Sequence, residues 1–143
     1  MNTLKLLTLA GVLCAGLLTL NAADKKSLGG PKGGRLLEKT EPKAEFFLEK
    51  DRTATIAFYD ADLKPVPVKD QSVSLVAGKE KVEFEKKGDV LVSKSKLPEG
   101  DDLPLVVQFK QSAEAKPQNY RFKLDTHICG GCKRAEYACT CDH

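Results

Sequence analysis

The stretch Val73-Ser74-Leu75-Val76-Ala77-Gly78-Lys79-Glu80-Lys81-Val82-Glu83-Phe84-Glu85 decides the fold. Val73, Leu75 and Ala77 fall on one face of an extended chain, because strand side chains alternate from side to side. Past Gly78-Lys79, Val82 and Phe84 alternate with Glu83 and Glu85, so the second run keeps one apolar side and turns a charged side to water. Two alternating runs joined at a glycine turn predict a β-hairpin.

The same period extends to both sides of the hairpin. Ala54, Ile56 and Phe58 lie opposite Thr53, Thr55, Ala57 and Tyr59; Leu103, Leu105, Val107 and Phe109 share a face, as do Tyr120, Phe122 and Leu124. Turn residues punctuate these runs at Asp60 to Asp62, Pro65, Pro67, Gly88-Asp89, Pro98 to Asp101 and Ser112 to Pro117. Strands are expected near 44–49, 53–60, 72–77, 80–86, 89–94, 103–110 and 119–125. About seven short strands with turn signals every ~8–12 residues predict an all-β fold, an immunoglobulin-like antiparallel β-sandwich. No helical periodicity of useful length competes.

At 143 residues the chain has room for one domain, and 41% hydrophobic with 30% charged residues describes an ordinary globular composition. Lys and Arg number 23 and Asp and Glu 20, interleaved along the chain and not gathered on one face. So even a balance excludes a nucleic-acid binder that relies on neutralising phosphates.

The N-terminus has a different character. Lys5 gives a positive start, Leu6 to Leu20 carry no charge, and Ala22 and Ala23 precede Asp24-Lys25-Lys26. That order predicts a secretory signal peptide over residues 1–23, cleaved near Ala22 or Ala23. Leu13 before Cys14 is too large for a lipoprotein cleavage box, so Cys14 is expected to leave with the leader. No later segment is apolar for long enough to form a transmembrane helix, and a periplasmic or secreted location follows.

Residues 24–43 are expected to form a flexible Gly/Lys-rich arm, ordered only from Leu36-Leu37 onward. Its Gly29-Gly30-Pro31-Lys32-Gly33-Gly34 is no phosphate loop, because Arg35-Leu36 follow where Lys and Ser or Thr are needed. The β-sandwich domain then occupies 44–125, and its acidic residues are expected opposite the apolar set, in water. Neither histidine lies in it. With no base available to a nucleophile there, a non-enzymatic role is expected.

Chemistry gathers in the tail, 126–143. His127, Cys129, Cys132, Cys139, Cys141 and His143 form H-x-C-x2-C-x6-C-x-C-x-H, a cluster of soft-metal ligands at short spacing. Cys129-Gly130-Gly131-Cys132 puts two thiols at the ends of a tight turn, its glycines free to adopt positive φ. Cys139, Cys141 and His143 share a side if extended, and Lys133 and Arg134 favour thiolates. The four cysteines are the expected metal ligands, with His127 and His143 as alternates. Four thiolates suit Zn(II), and two or three suit Cu(I); spacing does not choose between them.

Two other readings stay open. In an oxidising compartment Cys129 with Cys141 and Cys132 with Cys139 can form disulfides, stapling the tail of an interaction module that acts through its sheet surface. Cys129 and Cys132 can alternatively serve as the C-x-x-C pair of a thiol-disulfide oxidoreductase, although the βαβ surroundings of such enzymes are missing. The flanking histidines favour metal, since a staple has no use for them.

Pro31-Lys32-Gly33-Gly34-Arg35-Leu36-Leu37-Glu38, Ala44-Glu45-Phe46-Phe47-Leu48 and Ala57-Phe58-Tyr59-Asp60-Ala61-Asp62-Leu63-Lys64-Pro65-Val66 together resemble a small exported β-domain. Similar modules occur alone or attached to periplasmic adaptor subunits of heavy-metal efflux systems of the resistance-nodulation-division class. The resemblance implies a periplasmic location and an envelope efflux adaptor as partner, for metal sequestration or delivery. Lys32 stands where such modules often carry histidine, and the cysteine tail is not part of the adaptors.

Overall fold

Nine strands and one short 3-10 turn build residues 28–142, which the computed structural model describes. The strands are β1 (Arg35–Leu37), β2 (Lys43–Leu48), β3 (Ala54–Tyr59), β4 (Pro65–Val66) and β5 (Ser72–Ala77). They continue as β6 (Glu80–Lys87), β7 (Val90–Ser93), β8 (Leu103–Lys110) and β9 (Gln118–Leu124). The leader expected over 1–23 lies outside the described residues, among which no helix is long and apolar enough to cross a membrane.

The hairpin read from Val73 to Glu85 forms as β5 and β6, with Leu75 opposite Val82 and Ala77 opposite Glu80. Val73, Leu75, Ala77 and Val82 are buried, while Val76 on the opposite face is 40% exposed. All pairings are antiparallel, and the sheet runs β1-β2-β3-β7-β6-β5-β8-β9 with β4 beside β3, nearly closed into a barrel. The all-β, antiparallel expectation holds. The continuous path differs from two separate packed sheets because β6 is long enough to serve two neighbours. Its first half pairs with β5 and its second half, Phe84 to Lys87, with β7. The core inside is Phe46, Ile56, Phe58, Leu75, Val107 and Phe109 with their neighbours.

The segment expected as a flexible arm is tied to the sheet over its described part. Arg35–Leu37 pair with Ala44–Phe46, which extends the sheet by one strand. Ahead of that strand, the loop from Gly30 to Gly34 wraps around the Glu45 carboxylate. This side chain is fully buried and accepts the N–H of Gly34 at 2.7 Å and of Lys32 at 3.1 Å. A Cβ at Gly34 would stand 2.1 Å from the Phe46 carbonyl oxygen, so glycine is needed there for close backbone approach. Glu45 corrects the expectation that the acidic residues of the sheet all face water: a buried carboxylate persists where N–H donors satisfy it. The Tyr59 hydroxyl also bonds it, and burial together with this carboxylate pushes the Tyr59 phenol well above its usual range.

β1 and β9 end the sheet and face each other across a cleft lined by Arg35, Leu36, Glu38, Tyr120 and Phe122. Side chains cross this gap. The Tyr120 hydroxyl donates to the Glu38 carbonyl at 2.5 Å, and the Arg35 guanidinium sits 4.7 Å from the centre of the Phe122 ring. The chain after β9 returns over one end of the gap, and there it carries the cysteines.

Candidate metal centre

Residues 125–136 fold back on themselves after β9. Tyr137 donates its N–H to the Asp125 carbonyl at 3.0 Å, Glu136 to His127 at 2.9 Å, and Ile128 bridges to Ala135. At the tip, Cys129 donates to the Arg134 carbonyl at 2.8 Å and Lys133 to the Cys129 carbonyl at 3.0 Å. The turn closes because Lys133 takes φ of 60°. Positive φ thus falls on Lys133 and not on Gly130 or Gly131, where the sequence suggested it. The 3-10 turn Glu136–Ala138 then brings Cys139 back to the tip, its N–H donating to the Glu136 carbonyl at 3.1 Å.

This path is anchored on the barrel. Tyr137 and Ala138 belong to the main core, and the Tyr137 hydroxyl accepts the Leu48 N–H at 3.1 Å. Arg35 donates to the Tyr137 carbonyl at 3.2 Å, and Arg134 to the Gly30 carbonyl at 3.1 Å. The tail is therefore part of the folded body, fixed to β1, β2 and the glycine loop.

Four sulfurs meet as a result. Cys129 Sγ lies 3.4 Å from Cys139 Sγ and 3.7 Å from Cys141 Sγ, and Cys132 Sγ lies 3.6 Å from Cys139 Sγ. The four ligand atoms all fall within 4.8 Å of one another. Four thiolates around a tetrahedral Zn(II) at ~2.3 Å place their sulfurs about 3.8 Å apart, so the hole between these four fits one such ion. A staple would give each sulfur a single partner at about 2.05 Å; here Cys129 and Cys139 each adjoin two others. Cys129 and Cys139 are buried, and Cys132 and Cys141 reach partly to solvent.

Backbone groups prepare the sulfurs unequally. The N–H groups of Thr140 and then Arg134 point at Cys132 and lower its thiol to about 6. Cys139 accepts the Cys141 N–H at 3.4 Å, but desolvation and the adjoining thiols push it up to about 12. Cys141 is raised as well, chiefly by the Cys129 thiol. Cys132 gives a thiolate readily, whereas Cys139 and Cys141 resist because the thiols crowd together. A central cation would relieve that crowding, and its binding would release protons.

The histidines stand apart from this group. His127, expected as an alternate ligand, has a side chain 70% exposed and sets Nδ1 2.7 Å from Asp125 Oδ1, outside the four-sulfur cluster. Asp125 also accepts the His127 N–H at 2.9 Å, which turns the ring back toward β9. That carboxylate raises the imidazole above its usual range. His143 lies outside the described residues. Sequence reasoning missed Tyr137 and Glu45, one anchoring the tail and the other the glycine loop. The signal for Tyr137 is its place as the one aromatic residue between the two cysteine pairs. Compared with protein-family models, curated proteins and solved structures, the chain matches none.

Proposed function

We propose that this is an exported, non-enzymatic protein that holds one soft or borderline metal ion, Zn(II) foremost, in the tetrad Cys129, Cys132, Cys139 and Cys141. The observation that carries this is the convergence of four sulfurs within 4.8 Å on one buried-to-surface point. Four-thiolate coordination suits Zn(II) better than Cu(I), which is content with two or three thiolates. Export is supported by the charged, apolar and small-residue order of residues 1–23. The likeness to β-modules of heavy-metal efflux adaptors supports a role in sequestration, or in delivery to an envelope partner.

One observation favours a second reading. The pairs that a double staple would join, Cys129 with Cys141 and Cys132 with Cys139, already lie 3.7 and 3.6 Å apart. In this reading the protein is a stapled interaction module. Purification from the periplasm without chelator, with elemental mass spectrometry and a thiol count, separates the two. One equivalent of zinc, with four thiols that react only after chelation, supports the metal site. Metal-free protein with all four cysteines oxidised overturns it in favour of the staple.

A further inference from the structure

The two glycines between Cys129 and Cys132 do different things. A Cβ built on Gly130 meets nothing within 4 Å, so that position tolerates a side chain. A Cβ built on Gly131 stands 2.8 Å from Cys141 Sγ and 3.9 Å from Cys129 Sγ. Neither glycine is among those with positive φ, which among the described residues are Gly33, Gly78, Gly88 and Gly100. Gly131 is needed for the space it leaves free, and that space is filled by a sulfur twelve residues from Cys129.

The atom that yields to a side chain at 131 can be named. Cys129 is buried at 2% exposure and held by its neighbours, whereas Cys141 is partly exposed and turns about a single side-chain bond. Crowding at 131 therefore swings Cys141 Sγ out of the tetrad and leaves Cys129, Cys132 and Cys139 in place. We propose that Gly131 sets the coordination number of the site, and through it which metal the site retains. This rests on the reading of the tetrad as a metal centre. With four thiolates the site closes around Zn(II); with three, zinc keeps an open position that water fills, while Cu(I) is satisfied.

The test uses the full mature chain, reduced, titrated with Co(II) as a probe whose sulfur-to-metal charge-transfer absorption grows with each bound thiolate. Wild type and Gly130→Ala are expected to show four thiolates. Gly131→Ala is expected to show three and to match Cys141→Ser, and combining the two changes is expected to add no further loss. Zn(II) affinity falls about 10- to 100-fold in Gly131→Ala, the scale of a disturbed ligand shell, while Cu(I) affinity stays as in wild type. Retention of four thiolates by Gly131→Ala, or additive losses in the double variant, overturns the proposal and leaves the metal site standing. Gly131→Ala losing its strand signal in circular dichroism while Cys141→Ser keeps it also overturns the proposal, because the glycine would then serve the backbone. Wild type that takes up no Co(II) removes the metal reading itself, and this inference with it.

Discussion

Tyr137 packs edge-on against Phe46, ring centres 5.7 Å apart and planes at 83°, so the cysteine-bearing tail and strand β2 share one aromatic contact. Tyr137 is buried at 5% exposure and also accepts the Leu48 N–H. Tyr137→Ala is expected to lower stability by ~3–5 kcal/mol, the scale for deleting a buried aromatic ring. Tyr137→Phe removes only the hydroxyl and is expected to cost about 1 kcal/mol. Urea denaturation followed by circular dichroism measures both, and equal costs would show that the ring contact contributes nothing.

The same contact would couple a metal held by the four cysteines to the fold. A ligand bound only by the folded state at about 100 times its dissociation constant adds ~2.7 kcal/mol. Removing zinc with a chelator, or replacing Cys129 and Cys132 together by serine, is therefore expected to lower the thermal midpoint as well as abolish binding. This differs from a site hung on an independent domain, where the midpoint would stay put. Differential scanning calorimetry with and without chelator distinguishes the two.

The buried Glu45 carboxylate holds two backbone N–H groups, that of Gly34 closed to water and that of Lys32 at the surface. Glu45→Ala leaves the buried Gly34 donor without a partner, at about 1–3 kcal/mol, while Lys32 can turn to water, and Glu45→Gln keeps one acceptor oxygen and is expected to cost less. Amide exchange at Lys32 and Gly34 is the direct reading. Unchanged protection in Glu45→Ala would mean that the glycine loop is held by something else.

Asp51 starts the turn between β2 and β3. The Thr53 hydroxyl, and then the Thr53 N–H at 3.0 Å, hold its carboxyl below the usual range. A carboxyl depressed in the folded state contributes stability above its unfolded value of ~3.9, lost as pH falls through the folded value. The carbon-13 shift of the Asp51 carboxyl is expected to titrate below that of an ordinary aspartate. In Thr53→Ala it should move up toward the ordinary value; a titration insensitive to this change would discard the turn as the cause.

Much of the barrel was legible because its inward residues alternate cleanly: Val73, Leu75, Ala77 and Val82 predicted the hairpin that forms. β1 and β4 were not, since Arg35–Leu37 and Pro65–Val66 are too short to show a period, and Pro65 reads as a turn. Spacing located the four cysteines because thiol ligands cluster in sequence. It also named His127, whose ring lies outside the four-sulfur cluster with Nδ1 held by Asp125, a contact that ligand counting does not show. Glu45 was unreadable for a related reason: its partners are backbone N–H groups of a distant loop, and backbone donors leave no mark in the sequence.

Arg35 and Tyr137 bond across 102 positions, and Gly30 and Arg134 across 104. On the ribosome the chain appears from its N-terminal side. β1, β2 and β3 can pair at once, but Phe46 lacks its ring partners Phe122 and Tyr137 until those late segments have been made. Long-range closure of this kind slows folding. A chain cut short before Phe122 would leave Phe46 without either ring, so the late segments are what close an apolar face laid down early.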